Sequence, residues 1–232
     1  MPTTSESPER MTDISNAPHG ELLAVNAELV EVAKLVGAAM NLATTALLEA
    51  NLSIAQQVIH NDDEIDIRTS AIEERCIEII ANDAPTGRDL RIAIGALRIA
   101  ASLERMGDLA RHVAKQARLR FPNTAVPAEL AATFAHMGRL AEGIINKTAA
   151  VITSQDVTLA TDIAEEDSEM DRVHRELFTI VLSDHWQHGV EAAIDVTLLS
   201  RYYERYADHA VSVTKRVVNV VTGEPYAGVM LD

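Results

Sequence analysis

Residues 97–112 read LRIAASLERMGDLARH, and residues 198–213 read LLSRYYERYADHAVSV. In the first stretch Leu97, Ile99, Ala100, Ala101 and Leu103 crowd together as the buried residues of a helix do. Glu104 and Asp108 then follow, four apart, on a line that was apolar one turn earlier. Glu204 and Asp208 take the same places one hundred positions on. The line through the first pair is Leu90, Ile94, Leu97, Ala101, Glu104, Asp108, and its counterpart is Val190, Ile194, Thr197, Arg201, Glu204, Asp208. Both have the spacing of one helical face. Two helices therefore carry paired carboxylates where an apolar stripe is expected to continue.

Beside each of these lines runs a longer seam. Ile92, Ala96, Ile99, Leu103, Met106, Ala110, Val113 and Ala117 alternate steps of four and three, as do Ala192, Val196, Leu199, Tyr203, Tyr206, Ala210, Val213, Val217 and Val220. Upstream of the first, Val25, Leu29, Val32, Val36, Ala39, Ala43, Ala46 and Ala50 form another seam, followed by Val58, Ile65, Ile72, Cys76 and Ile79. Upstream of the second, Leu130, Phe134, Met137, Ala141, Ile144, Thr148 and Val151 repeat the first seam, and Ile163, Met170, Leu177 and Val181 the next. NDAPTGRD (82–89) and RFPNTAVP (120–127) break the pattern with Pro and Gly. Gly223 stands where a C-cap glycine ends the last helix.

The expected fold is all-α: two tandem three-helix bundles related by an internal repeat, spanning residues 21–121 and 127–224. Each helix should hold about thirty residues, roughly 45 Å at 1.5 Å per residue. A polar tail is expected over residues 1–20 and another tail over 225–232.

Composition narrows the function. The 232 residues carry a net charge of −15 and only 3% aromatics. So acidic a chain lacks the basic face that neutralises nucleic-acid phosphates, so a nucleic-acid partner is not expected. No apolar run reaches the roughly 18 residues that span a bilayer, so membrane insertion is not expected either. The polar start MPTTSESPERMTD has no apolar core of a signal peptide, which places the expected site of action in the cytoplasm. The single cysteine, Cys76, falls on a core seam and reads as a small buried residue.

The carboxylates recur in the second and fifth helices. Asp62 and Asp66 sit in NDDEID, and Asp167 and Asp171 stand 105 residues later in EEDSEMD. If each second helix lies beside the third, four carboxylates converge in each bundle. Carboxylates gathered from facing helices suit a hard divalent or ferric ion. Ion pairs with Arg105, Arg111 or Arg201, or plain solvation at a helix edge, satisfy them equally well, so all three readings stand. The candidate metal ligands are Asp62, Asp66, Glu104, Asp108, Asp167, Asp171, Glu204 and Asp208. No Glu-x-x-His spacing occurs, which removes the usual di-iron ligand set, and no phosphate loop or nucleophile motif is present, so the chain is not expected to be an enzyme.

RDLRIAIGALRIAASLERMGDLARHVAK (88–115) and LLSRYYERYADHAVSVTKRVVNVVTGE (198–224) resemble the two signature helices of the PhoU family of phosphate-uptake regulators. HNDDEIDIRTSAIEERCIEIIA (60–81) resembles that family's second helix. The resemblance covers about residues 21–224. It implies a cytoplasmic negative regulator of phosphate uptake and of the phosphate-starvation response. Such a regulator links the ATPase subunit of a phosphate ABC transporter to a sensor histidine kinase, commonly as a homodimer. It also implies iron or another divalent or trivalent metal on the acidic motifs of some members. The competing expectations are a metal-storage protein and a metal-dependent enzyme built on the carboxylates.

Overall fold

The computed structural model describes residues 8–224, with side chains described from residue 19. Six long helices follow one another: α1 (Pro8–Glu49), α2 (Leu52–Asp83), α3 (Gly87–Arg120), α4 (Ala131–Ser154), α5 (Leu159–Val181) and α6 (Gly189–Thr222), with a short 3-10 turn, Ala128–Leu130, before α4. Among the described residues there is no strand. The all-α fold of two three-helix bundles is what the seams predict.

Each turn has a local cause. Ala50 adopts a left-handed φ of 50° after α1, and the side chain of Asn51 then accepts the N–H of Ile54 at 3.2 Å, capping α2. Ala84 is left-handed before Pro85. Gly223 closes α6 at φ 79°, its N–H donating to the Asn219 carbonyl, as expected of a glycine at that place.

Two expectations on element length are corrected. α1 begins at Pro8, so helix runs through most of the expected tail of residues 1–20. An apolar seam marks where burial starts rather than where the helix does, and proline suits the first helical position. Residues 1–7 and the expected tail 225–232 lie outside the described residues. α4 and α5 hold 24 and 23 residues, fewer than about thirty, because turns at Gln155–Thr158 and Leu182–His188 shorten them.

α2 and α5 are the outer helices. α2 touches only α1 and α3, and α5 touches only α4 and α6. Accordingly α2 buries one narrow stripe: Ala55, Val58, Asp62, Ile65, Thr69, Ile72, Cys76 and Ile79. The remaining helices also meet across the bundles, α1 against α4 and α3 against α6. Besides its seam α3 therefore buries Gly95, which faces Val220 of α6, and also Gly107, which faces Ile65 of α2. Small residues permit the approach: a Cβ on Gly95 would stand 2.8 Å from Val220 Cγ2, and one on Gly138 would stand 2.7 Å from Thr44 Cγ2. The result is one continuous core shared by both bundles. Cys76 is fully buried in it, and burial pushes its thiol up to about 11, as befits an inert core residue.

Candidate functional site

The line that carries Glu104 and Asp108 is not a second core stripe. Ile94 is 39% exposed, Val190 76% and Ile194 52%, and Ala101 is exposed as well. The line follows the edge of α3 where α2 leans against it, and the edge of α6 beside α5. Of the carboxylates at its end, Glu104, Asp108 and Glu204 are therefore half-buried at a helix–helix boundary rather than inserted into the core, and Asp208 is exposed. Asp62 is the exception. It occupies the buried stripe of α2, its side chain 2% exposed. Gly107 makes room for it, since a Cβ there would stand 3.3 Å from Asp62 Oδ1.

In the first bundle the acidic groups gather around two arginines. Arg111 Nη1 lies 2.5 Å from Asp62 Oδ2, an ionic contact without the alignment of a hydrogen bond. Its Nη2 donates to Asp108 Oδ1. Arg105 Nη1 donates to Asp108 Oδ2 at 2.9 Å, and its Nε stands 3.7 Å from Glu104 Oε2. His112 Nδ1 lies 2.6 Å from the Asp108 carbonyl and its ring leans on Tyr202, so it ties α3 together instead of joining the carboxylates. Burial pushes Asp62 up to about 6 against the pull of Arg111, with Asp66, Asp108 and Asp63 adding repulsion. Glu104 is raised as well, first by burial, with Arg105 opposing and Asp108 and Asp66 reinforcing. Asp62, Asp66, Glu104 and Asp108 thus share one field.

The second bundle gathers Asp167, Asp171, Glu204 and Asp208 in the same way, but its cations differ. The position one hundred after Arg111 is Val211. Arg201 does not cross to the first bundle; it donates to Glu204 Oε1 within its own helix. Glu204 Oε2 is buried with no partner. Arg175 reaches Asp171 only at 3.9 Å. Burial pushes Asp167 up to about 7, and Asp171, Asp208 and Glu204 push the same way against Lys215. Glu204 is also raised, again first by burial, and Asp208, though largely exposed, is raised by the partial burial of its carboxyl and by Asp171. His174 turns aside to Ser200 Oγ at 2.9 Å, and burial and the Arg201 charge hold it below its ordinary value.

The eight candidate residues therefore form two groups of four, each within one bundle. As arranged, no group of three or more His, Cys, Asp or Glu side chains among the described residues is set to hold a metal ion. The second group has the donor chemistry for a hard cation: carboxylate oxygens, one of them buried and unpaired, with no guanidinium across the pair. The first group does not, because Arg111 spans it.

One polar centre is absent from the sequence reading. Asp195, 3% exposed, accepts from Arg120 Nε at 2.5 Å, from Arg120 Nη2 at 3.0 Å and from Gln116 Nε2 at 2.6 Å, while Arg120 Nη1 donates to Glu191. The signal was an acid set between Ile194 and Val196, with an arginine at the far end of α3 to answer it. Its role is to join α3 to α6. A groove of about 540 Å³ nearby is apolar, lined by Trp186, Val190, Ile194 and Leu198 among others, and one of about 470 Å³ beside Arg120 and Asp195 is polar; no carboxylate of either acidic group lines them.

Comparison with known proteins accords with this geometry. The model of the PhoU domain matches residues 29–117 and 134–217, one match in each bundle. The phosphate-specific transport system accessory protein PhoU homolog 2 of Mycobacterium tuberculosis is 46% identical over 207 residues, which are 89% of this chain and 97% of that protein. The PhoU homolog of Aquifex aeolicus is 34% identical over 80% of this chain and 84% of its own length. The crystal structure of PhoU from Pseudomonas aeruginosa superposes with a TM-score of 0.78 at 28% identity, covering 89% of this chain and 99% of that one.

Proposed function

Because the chain belongs to the PhoU family, we propose that it is a negative regulator of phosphate uptake and of the phosphate-starvation response. It works in the cytoplasm as a protein adaptor and a homodimer, between the ATPase subunit of a phosphate ABC transporter and a sensor histidine kinase, without catalysis of its own. The observation that carries this reading is the paired domain match, together with a relative named as a phosphate-transport accessory protein and aligned over 97% of its length. Among the described residues no helix is long and apolar enough to cross a membrane.

The acidic groups enter this proposal as a place for iron or another divalent or trivalent ion. An ion on the second group would supply the bridging positive charge that is absent between Asp167 and Asp208, and would tie α5 to α6. No observation favours storage or metal-dependent catalysis over this role.

The test is phosphate uptake in phosphate-rich medium by cells lacking the gene, with and without a restored copy. Raised uptake that the restored copy suppresses supports the regulator. Uptake unchanged by deletion, in cells without a second family member, overturns it.

A further inference from the structure

We infer that Arg111 is the built-in counter-ion of the first carboxylate group and closes it to metal, so that metal binding belongs to the second bundle alone. The inference rests on the metal reading proposed above and deepens it.

A hard cation between α2 and α3 would need oxygens from both helices. Arg111 already holds one from each, with Nη1 at 2.5 Å from Asp62 Oδ2 of α2 and Nη2 donating to Asp108 Oδ1 of α3. A guanidinium is always charged, and its planar fork is shaped to bridge carboxylates. An entering ion would have to expel it and leave its charge without a partner at a site where the Arg111 side chain is only 25% exposed. The α2–α3 boundary is also tight: Ile65 and Asp62 already fill the space above Gly107.

The other half supplies the control. Asp167 and Asp208 correspond to Asp62 and Asp108 by the repeat, and between them Val211 replaces the arginine. No cation spans that pair; Arg201 is engaged with Glu204 Oε1, and Glu204 Oε2 is left buried and unpaired. Two groups alike in their acids thus differ at the residue that neutralises them.

Calorimetric titration of metal-stripped protein with Mn²⁺ tests this, with circular dichroism to confirm that each variant is folded. In the unmodified chain, binding should be lost in Glu204→Gln and kept in Asp108→Asn. Arg111→Val should add a second class of site, and Asp108→Asn in that background should remove it. Arg111→Gln serves as the replacement if the valine variant does not fold. Binding that Asp108→Asn weakens as much as Glu204→Gln overturns the inference, as does a folded Arg111 variant with no added site. If only the Arg111 variants take up Mn²⁺, Arg111 is the closing group but the metal reading of the native protein fails. If no protein takes it up, both fail together.

Discussion

Arg120 at the end of α3 and Asp195 near the start of α6 meet through two guanidinium nitrogens, at 2.5 and 3.0 Å, and their counterparts in the repeat are Val220 and Gly95, which also touch. The two ends of the α3–α6 contact therefore do the same job with opposite chemistry. Arg120→Val alone should lower the urea midpoint, because it leaves the buried Asp195 carboxylate with Gln116 only. Arg120→Val with Asp195→Gly, which copies the other end, should recover much of the loss. A double variant no better than the single one would show that the polar pair does more than fill the contact.

Gly95→Ala tests the apolar end. The added methyl would stand 2.8 Å from Val220 Cγ2, so Val220 or the helices must shift. The expected cost is about 1–3 kcal/mol in unfolding free energy, and Val220→Ala in the same chain should relieve part of it.

The second acidic group sets a pH dependence. Asp167 is held up to about 7, above its ordinary 3.8, chiefly by burial. The folded protein thus binds this proton more tightly than the unfolded chain. Its contribution to stability is full below about 4 and is lost as pH rises through about 7, on the order of 2–4 kcal/mol. In metal-free protein, Asp167→Asn should flatten the fall in stability between those values and raise the midpoint at neutral pH. An unchanged pH profile would place Asp167 in water.

Tyr203 carries a smaller, separable effect. Its hydroxyl is fully buried and lies 2.7 Å from Thr44 Oγ1, which also donates to the Met40 carbonyl at 2.8 Å. Tyr203→Phe should cost about 0.5–1.5 kcal/mol and leave the helix content unchanged, since Thr44 keeps its backbone acceptor. Thermal melts of the two proteins decide it.

The helices and the repeat were legible because each rests on periodicity, which the seams record residue by residue, whereas the pairing of α2 with α3 and of α5 with α6 entered only as a condition, since periodicity does not say which helices meet. Gly223 was legible because a left-handed end needs glycine. The α1–α2 turn was less so: Ala50 is no turn residue by type, and Asn51 shows its role only through the bond to Ile54. The carboxylates were legible as a pattern, but their surroundings were not. Spacing gives the face of a helix, and only the neighbouring helix decides whether that face is core, as at Asp62, or edge, as at Glu104. Arg111 stood among the candidate partners, yet nothing in its spacing says that it would span Asp62 and Asp108 across two helices.

The shared core has a further consequence for how the molecule can be divided. Cutting the chain between Pro122 and Pro127 would leave each fragment with two bare apolar helix faces, α1 and α3 on one and α4 and α6 on the other. Neither fragment is a free-standing domain in that sense. The halves are complementary pieces of a single body, and co-expressed as separate chains they are expected to find each other and reassemble.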